Sequence, residues 1–182
     1  SLARADAAIE AVKARAGTRY LSDPAAEDSI NVASLKGDLV QIGYDLIRKG
    51  KYNSATSVLT AAVRQNPNDP RARTMLAHAF YGGGNYVRSS TEFAQAGRLQ
   101  PLSQEDQMLY GKGLLKAKRY EQAITVLSNL VQHRPDNTKA RVELIKSYSM
   151  SGFTDHAREQ CQEGMRLAKD SVEYNEFKSL MP

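Results

Sequence analysis

The residues best suited to chemistry in this chain are three histidines, one cysteine and a run of glycines. His78, His133 and His156 are far apart, and none begins a metal-binding His-Glu-x-x-His motif. Cys161 falls at an apolar position, which indicates a small core residue rather than a nucleophile. The run 82–84 is not followed by the Gly-Lys-Ser/Thr of a phosphate loop. We therefore predict no catalytic residue, no metal site and no cofactor.

The strongest pattern in the sequence is a step of 34 residues, and it concerns packing. Two residue types keep this step in the columns Pro67, Pro101, Pro135 and Tyr52, Tyr86, Tyr120. Two further columns keep this step, a column of small residues, Gly43, Ala77 and Gly111, with Ile145 the exception, and the column Leu59, Phe93, Leu127 and Cys161. A period of this length predicts a stack of helical hairpins.

Each column has a structural reason. Two helices approach closely only where side chains are small, which explains the column that begins with Gly43. Another column, which starts at Gly50 and holds Lys118 in the third copy, suits a left-handed residue at the end of a first helix. Leu39, Ile42 and Leu46 follow the apolar period of a helix, and no segment alternates as strongly as a strand would. The sequence therefore predicts an all-α fold.

With these columns the chain resembles the tetratricopeptide repeat (TPR) family over residues of about 36 to 169. The resemblance implies a right-handed superhelical solenoid of antiparallel helix hairpins. The predicted segments are an N-terminal helical cap or degenerate repeat at 1–35, TPR repeats at 36–69, 70–103, 104–137 and 138–170, and a C-terminal capping helix at 171–182. Arg73, Gln107 and Arg141 depart from the family, which often has a bulky apolar residue there.

The two ends of the chain receive separate predictions. The N-terminal pattern predicts a helix over about 2–16, which either belongs to a degenerate repeat or forms a detached arm on the groove or on a second copy. At the other end, Asp170 with Glu173 resembles a capping box. In the helix that follows, we expect Val172, Phe177 and Leu180 to face the array and cover its last repeat.

In TPR arrays the first helix of each hairpin lines a concave groove, and the resemblance implies a peptide-binding role for the matching positions here. The predicted groove residues are Val40, Tyr44, Ile47, Arg48, Arg71, Met75, His78, Tyr81, Met108, Lys112, Lys116, Lys139 and Lys146. Tyr44, His78, Lys112 and Lys146 form a row, one residue per repeat. Methionine and tyrosine suit apolar side chains, whereas lysine, arginine and histidine pair with carboxylates.

The predicted function is a non-catalytic scaffold or adaptor that binds an acidic and hydrophobic segment of another protein. The family's clamp for chaperone tails is not matched, since Tyr44, Met75 and Glu105 stand where it has asparagines and a lysine. Similar bacterial TPR proteins serve pilus assembly and secretion systems. The alternative is a structural module that forms homo-oligomers through its N-terminal helix or its ends. Sedimentation with and without residues 1–22 would separate the two.

Composition adds weaker constraints. The net charge of +5 suggests an acidic partner, but the chain has no dense basic run and no RNA-binding aromatic motif, which argues against nucleic acid. No apolar run has the length of a membrane span. The chain begins at Ser1 without a visible signal peptide, so its compartment stays open between the cytoplasm and, for a processed lipoprotein, the periplasm.

Overall fold

The computed structural model describes residues 31–32, 35 and 37–182, and the predicted helix over 2–16 lies outside this part. Within the described residues the chain forms nine α-helices and no strand, so the all-α prediction is confirmed. The helices are α1 Leu39–Arg48, α2 Tyr52–Gln65, α3 Pro70–Gly82, α4 Tyr86–Leu99, α5 Gln104–Lys116, α6 Tyr120–His133, α7 Thr138–Met150, α8 Thr154–Leu167 and α9 Ser171–Ser179. We call α1, α3, α5 and α7 the first helices, and α2, α4, α6 and α8 the second helices. The second helices begin 34 residues apart.

The chain divides into two compact units, Ser1–Pro101 and Leu102–Pro182. In the first unit α1 pairs with α2, α3 pairs with α4, and the first helices α1 and α3 also touch. In the second unit α5 pairs with α6 and α7 with α8, α5 touches α7, and α9 packs on α8. Each unit therefore holds two helix hairpins with their first helices side by side.

Asp69 and Asp170 cap the starts of α3 and α9, and the start at Asp170 is one that the sequence predicts. The Asp69 carboxylate accepts hydrogen bonds from the backbone N–H groups of Arg71 (2.8 Å) and Ala72 (3.4 Å), and Pro70 takes the first helical position. Asp170 accepts from the N–H groups of Val172 and Glu173, both at 2.9 Å. These bonds satisfy backbone donors that have no partner inside the helix.

The column at the hairpin turns is left-handed, as predicted. Gly50, Gly84 and Gly152 have φ of 72°, 79° and 79°. Lys118, the non-glycine member, adopts φ 59°, which costs a side chain about 1 kcal/mol or more. The turn geometry therefore persists in the third hairpin despite its lysine.

Complementary sizes explain the core column and its exception. A Cβ added at Gly43 would lie 2.5 Å from Leu59 Cδ2, and one at Gly111 would lie 2.5 Å from Leu127 Cδ2, so these glycines face a leucine on the partner helix. In the last hairpin the sizes are reversed, because the large residue is Ile145 and Cys161 replaces the leucine, both fully buried in one cluster. The exception therefore keeps one larger and one smaller side chain in the pair, with their helices exchanged.

The capping helix α9 is partly as expected. Phe177 is fully buried and fills the space over Gly164 of α8, where an added Cβ would come within 2.6 Å of the ring. The prediction for Val172 is wrong, since this side chain is 75% exposed. Five residues separate Val172 from Phe177, and at 3.6 residues per turn that places them on different faces of the helix. Glu173 instead accepts a hydrogen bond from the Lys169 N–H at 2.9 Å.

Polar clamps replace the bulky apolar residue at the three departures from the family. Arg73 donates from Nε to the Pro67 carbonyl (2.8 Å) and from Nη1 to the carboxylate of Glu92 (3.0 Å). Arg141 donates to the Pro135 carbonyl (3.2 Å) and to Gln160 Oε1 (2.6 Å).

The clamps repeat along the chain. Gln107 donates to the Leu102 carbonyl at 2.9 Å, so each of the three side chains bonds the loop before its own helix. Glu92 and Gln160 are two repeats apart and occupy the same position of a second helix. Burial lowers the pKa of the Arg141 guanidinium from its ordinary value, against the attraction of Glu163. The clamps therefore join loop, first helix and, for the two arginines, second helix.

Candidate peptide-binding surface

The predicted groove residues all lie on first helices, and each unit carries its own set. In the first unit α1 and α3 hold Val40, Tyr44, Ile47, Arg48, Arg71, Met75, His78 and Tyr81. In the second unit α5 and α7 hold Met108, Lys112, Lys116, Lys139 and Lys146. We describe the two surfaces separately, as the α1–α3 face and the α5–α7 face.

On α1 the exposed residues combine an aromatic ring with a cation. Tyr44 is 43% exposed, and the Arg48 guanidinium carbon lies 5.9 Å from the centre of its ring, within cation–π range. Ile47 is half-buried against the core. Val40 is 9% exposed and belongs to the core cluster, so it offers little surface to a ligand. Tyr44 and Arg48 are therefore the accessible pair on this helix.

On α3 the side chains are held more firmly. His78 is half-buried, with its ring edge-on to Phe93 at 5.5 Å between centroids, and Tyr81 packs edge-on to Tyr86 at 5.3 Å. Met75 packs partly on the core, whereas Arg71 is exposed at the start of the helix. The rings are thus preorganised before a ligand arrives, which lowers the entropy lost on binding.

On α5 the surface is cationic beside an apolar strip. Met108 and Leu115 pack partly on the core, and Lys112 lies half-buried on the helix between them. Lys116 is exposed in the last turn, where a positive charge is favourable to the helix dipole. Met108 and Leu115 are each about one helical turn from Lys112, so the lysine can present its ammonium group beside an apolar contact.

On α7 the positive charge is partly compensated. Lys139 and Lys146 are exposed, but Lys146 Nζ forms an ion pair with Glu143 at 3.2 Å. Met150 is 60% exposed at the end of the helix. The pair lies one helical turn apart on the surface, so its strength is at most about 0.5 kcal/mol and a stronger carboxylate ligand can replace it.

One cluster was missed by the sequence reasoning, which treated His156 as isolated. In the structure the His156 ring stacks on Tyr148 at 5.2 Å and meets Phe153 edge-on at 6.0 Å. Phe153 remains 45% exposed beside the last hairpin turn. The signal in the sequence was the spacing of the three rings: Phe153 follows Tyr148 by five residues and precedes His156 by three. This spacing places the rings at the two ends of the turn between α7 and α8.

The described residues offer little for metal or thiol chemistry. No group of three or more histidine, cysteine, aspartate or glutamate side chains among them is arranged to hold a metal ion. Burial raises the pKa of the Cys161 thiol and so disfavours the thiolate, which is the reactive form. Across this part of the chain, every helix is too short or too polar to span a bilayer.

Comparison with known proteins agrees with this architecture. A family model described as "Anaphase-promoting complex, cyclosome, subunit 3" matches residues 48–130, and the tetratricopeptide repeat model matches residues 114–181. The chain is a tetratricopeptide repeat protein. Its fold class is the all-α helical-repeat solenoid. No curated protein matches the sequence.

Solved structures of TPR proteins share the fold. The chain is similar to "MamA 41-end from Desulfovibrio magneticus RS-1", with 24% identity, a TM-score of 0.65, and coverage of 80% of this chain and 91% of that one. It is also similar to YrrB, described as "a TPR protein with an unusual peptide-binding site", with 15% identity, a TM-score of 0.66, and coverage of 78% and 74%. A third similar structure, the thermophilic TPR protein TTC0263 of Thermus thermophilus, has 19% identity, a TM-score of 0.53, and coverage of 78% and 79%.

At these identities the likeness establishes the fold alone. TPR proteins are, as a family, interaction modules that bind other proteins and typically have no catalytic activity. The general function of this chain is accordingly that of a protein–protein interaction scaffold.

Proposed function

We propose that the α1–α3 face and the α5–α7 face each bind peptide segments of a partner protein, and that these segments carry acidic and hydrophobic residues. The observation that supports the proposal most directly is the composition of the α5–α7 face. There Lys112 and Lys146 occupy equivalent positions of two touching helices, with Met108 and Met150 on the same helices. Carboxylates suit the lysines, and flexible methionine side chains adapt to varied apolar groups.

The charges of this face favour an acidic ligand. It presents Lys112, Lys116, Lys139 and Lys146 against the acidic residues Glu105 and Glu143, and Glu143 is already paired with Lys146. A bound carboxylate near Lys112 would meet no acidic residue on the same turn of α5. The α1–α3 face contributes the exposed Tyr44 with Arg48, which can hold a second apolar or acidic side chain.

The protein is thus an adaptor that recruits its partner through a segment, in a bacterial assembly or secretion system. The peptide-binding TPR protein YrrB offers a precedent of the same fold. Six of the thirteen groove side chains are half-buried, and three of these, Ile47, Met75 and Met108, pack against the core, so this apolar part of the surface is preformed. Preformed surfaces bind short segments with a smaller entropy loss than mobile ones do.

A peptide-selection experiment tests the proposal. Random peptides displayed on phage are selected on the protein, and we expect enrichment of Asp or Glu next to Leu, Phe or Met. Titration calorimetry then compares the best peptide on the wild type and on Lys112→Glu/Lys146→Glu. Two reversed ion pairs should weaken binding about tenfold or more, since exposed pairs contribute about 0.2–1 kcal/mol each and reversal adds repulsion.

The matched control is Lys118→Glu/Lys178→Glu, which reverses two exposed lysines of the same unit outside the first helices. Its affinity for the peptide should stay within about a factor of two of the wild type, because neither lysine lies on a first helix and an exposed charge outside the peptide contact contributes little. Equal affinity of the wild type and the Lys112/Lys146 variant would refute the proposed face. An equal loss in both variants would show that net charge alone governs binding.

A further inference from the structure

The first unit has a larger excess of basic over acidic residues than the second. Its described residues 37–101 hold eight Lys and Arg against four Asp and Glu, whereas residues 102–182 hold twelve against eleven. Between positions 46 and 91 the only acidic residue is Asp69. Asp69 caps the start of α3, about 20 Å from the helix's other end, where the hairpin turn begins. The first turn of this unit is therefore rich in basic residues, and neither turn holds an acidic one.

The two hairpin turns of the unit lie against each other. The Tyr52 ring, at the start of α2, covers the backbone at Gly82, where an added Cβ would come within 2.5 Å of Cζ. An added Cβ at Gly83 would be 3.5 Å from Tyr52 Cβ. The absence of side chains at Gly82 and Gly83 thus allows the second turn to lie close to Tyr52 at the first turn. We call the surface made by residues 48–52 and 82–88 the turn edge.

The turn edge carries four cations. Arg48 and Lys49 are exposed at the end of α1, Lys51 is half-buried at the start of α2, and Arg88 is exposed in the first turn of α4. The Arg88 guanidinium lies 5.7 Å from the centre of the Phe80 ring. Val87, beside it, is 49% exposed and adds an apolar contact at the same edge.

Helix stability does not explain this arrangement. A positive charge suits the end of α1, but Lys51 is the N-cap of α2 and makes no side-chain capping bond, and Arg88 lies in the first turn of α4. Positive charge at a helix start is unfavourable by about 0.3–1 kcal/mol at an exposed site.

We propose that the turn edge docks on an anionic lipid surface. The exposed charged residues of the turn edge, Arg48, Lys49 and Arg88, are all cations, and the exposed Val87 adds an aliphatic side chain. A membrane surface attracts such cations collectively and needs no pocket. Arg48 belongs to both the turn edge and the α1–α3 face, whereas no residue of the turn edge lies on the α5–α7 face, so the vesicle test and the peptide test change different residues.

Vesicle sedimentation tests the proposal on the whole chain. Vesicles of phosphatidylcholine alone are compared with vesicles in which about one lipid in three is phosphatidylglycerol. We expect binding to the anionic vesicles at about 0.1 M salt and its loss at about 1 M salt, where the Debye length falls to about 3 Å. Each cation near such a surface contributes about a fivefold gain in partitioning, so Lys49→Gln/Lys51→Gln should reduce binding about 30-fold.

The matched control is Arg64→Gln/Arg98→Gln, which removes the same charge from exposed residues of the same unit at the opposite ends of α2 and α4. It should retain binding within about threefold of the wild type. An equal loss in both variants, or no binding of the wild type to anionic vesicles, would overturn the proposal. So would binding of duplex DNA through Lys49 and Lys51 without vesicle binding. The peptide-face variant Lys112→Glu/Lys146→Glu should still bind vesicles, which separates this test from that of the proposed function.

Discussion

The size complementarity of the paired columns can be tested by moving one hairpin's core pair into another. The α5–α6 hairpin pairs Gly111 with Leu127, whereas the α7–α8 hairpin has Ile145 and Cys161 at the same positions. The variants are Gly111→Ile, Leu127→Cys and the double variant, which gives the third hairpin the pair of the fourth. We expect each single change to destabilise the protein and the double variant to recover most of the loss.

The structure sets the magnitudes. A Cβ at position 111 would lie 2.5 Å from Leu127 Cδ2, and Leu127 is fully buried, so its side chain cannot turn into solvent. Overpacking of this kind costs about 1–3 kcal/mol. Leu127→Cys leaves a cavity, and truncations of a buried leucine cost about 2–5 kcal/mol, so we expect about 2–3 kcal/mol for this partial one. If the changes were independent, the double variant would lose about 3–6 kcal/mol.

We expect the double variant to lose only about 1–2 kcal/mol, because the isoleucine fills the space that the leucine leaves. Urea unfolding followed by far-UV circular dichroism measures the four free energies of unfolding, with the m-value as a check on cooperativity. The control pairs Leu127→Cys with Gly43→Ile, which faces Leu59 in the other unit, and should be additive. Additivity within about 0.5 kcal/mol in the Gly111/Leu127 cycle would refute the reasoning.

Two further predictions follow from buried polar groups. Arg141→Ala should lose about 2–4 kcal/mol of stability, because it removes the side chain's packing and its bonds to Pro135 and Gln160, whereas Arg141→Met should lose less than about 1 kcal/mol by refilling the volume. Equal losses in urea unfolding would show that the hydrogen bonds, not the volume, dominate. The Cys161 thiol, whose pKa is raised by burial, should react with Ellman's reagent only as fast as the protein opens, and native-state reaction at the rate of a free thiol would contradict its buried position.

Most of the local structure could be predicted because its causes are local. The cap at Asp69, the left-handed Gly84 and the tight position at Gly111 depend on neighbours within one hairpin and recur at the repeat spacing. Val172 could not be placed by the same reasoning, because its orientation depends on which face of a short helix meets α8. Phe177 decides that face, since its ring fits over Gly164.

The candidate site was less predictable than the fold. Tyr44 and Val40 were both predicted as groove residues because they lie on a first helix. Only packing shows that Tyr44 is accessible and that Val40 belongs to the core. The ion pair of Lys146 with Glu143 and the stacking of His156 on Tyr148 also depend on side-chain geometry. Sequence period identifies the helix and its register, while accessibility is a property of the assembled layers.

The sequence by itself determined the repeat length, the order of first and second helices, and the family, because each repeats the same short-range packing problem. The tertiary structure decided what the departures mean. Ile145 is balanced by Cys161, Arg141 clamps a loop, and Gly82 admits the Tyr52 ring, so that the two turns of the first unit meet. In each case the partner lies on another helix or in a loop, and such pairings follow from volume and hydrogen bonding in space rather than from spacing along the chain.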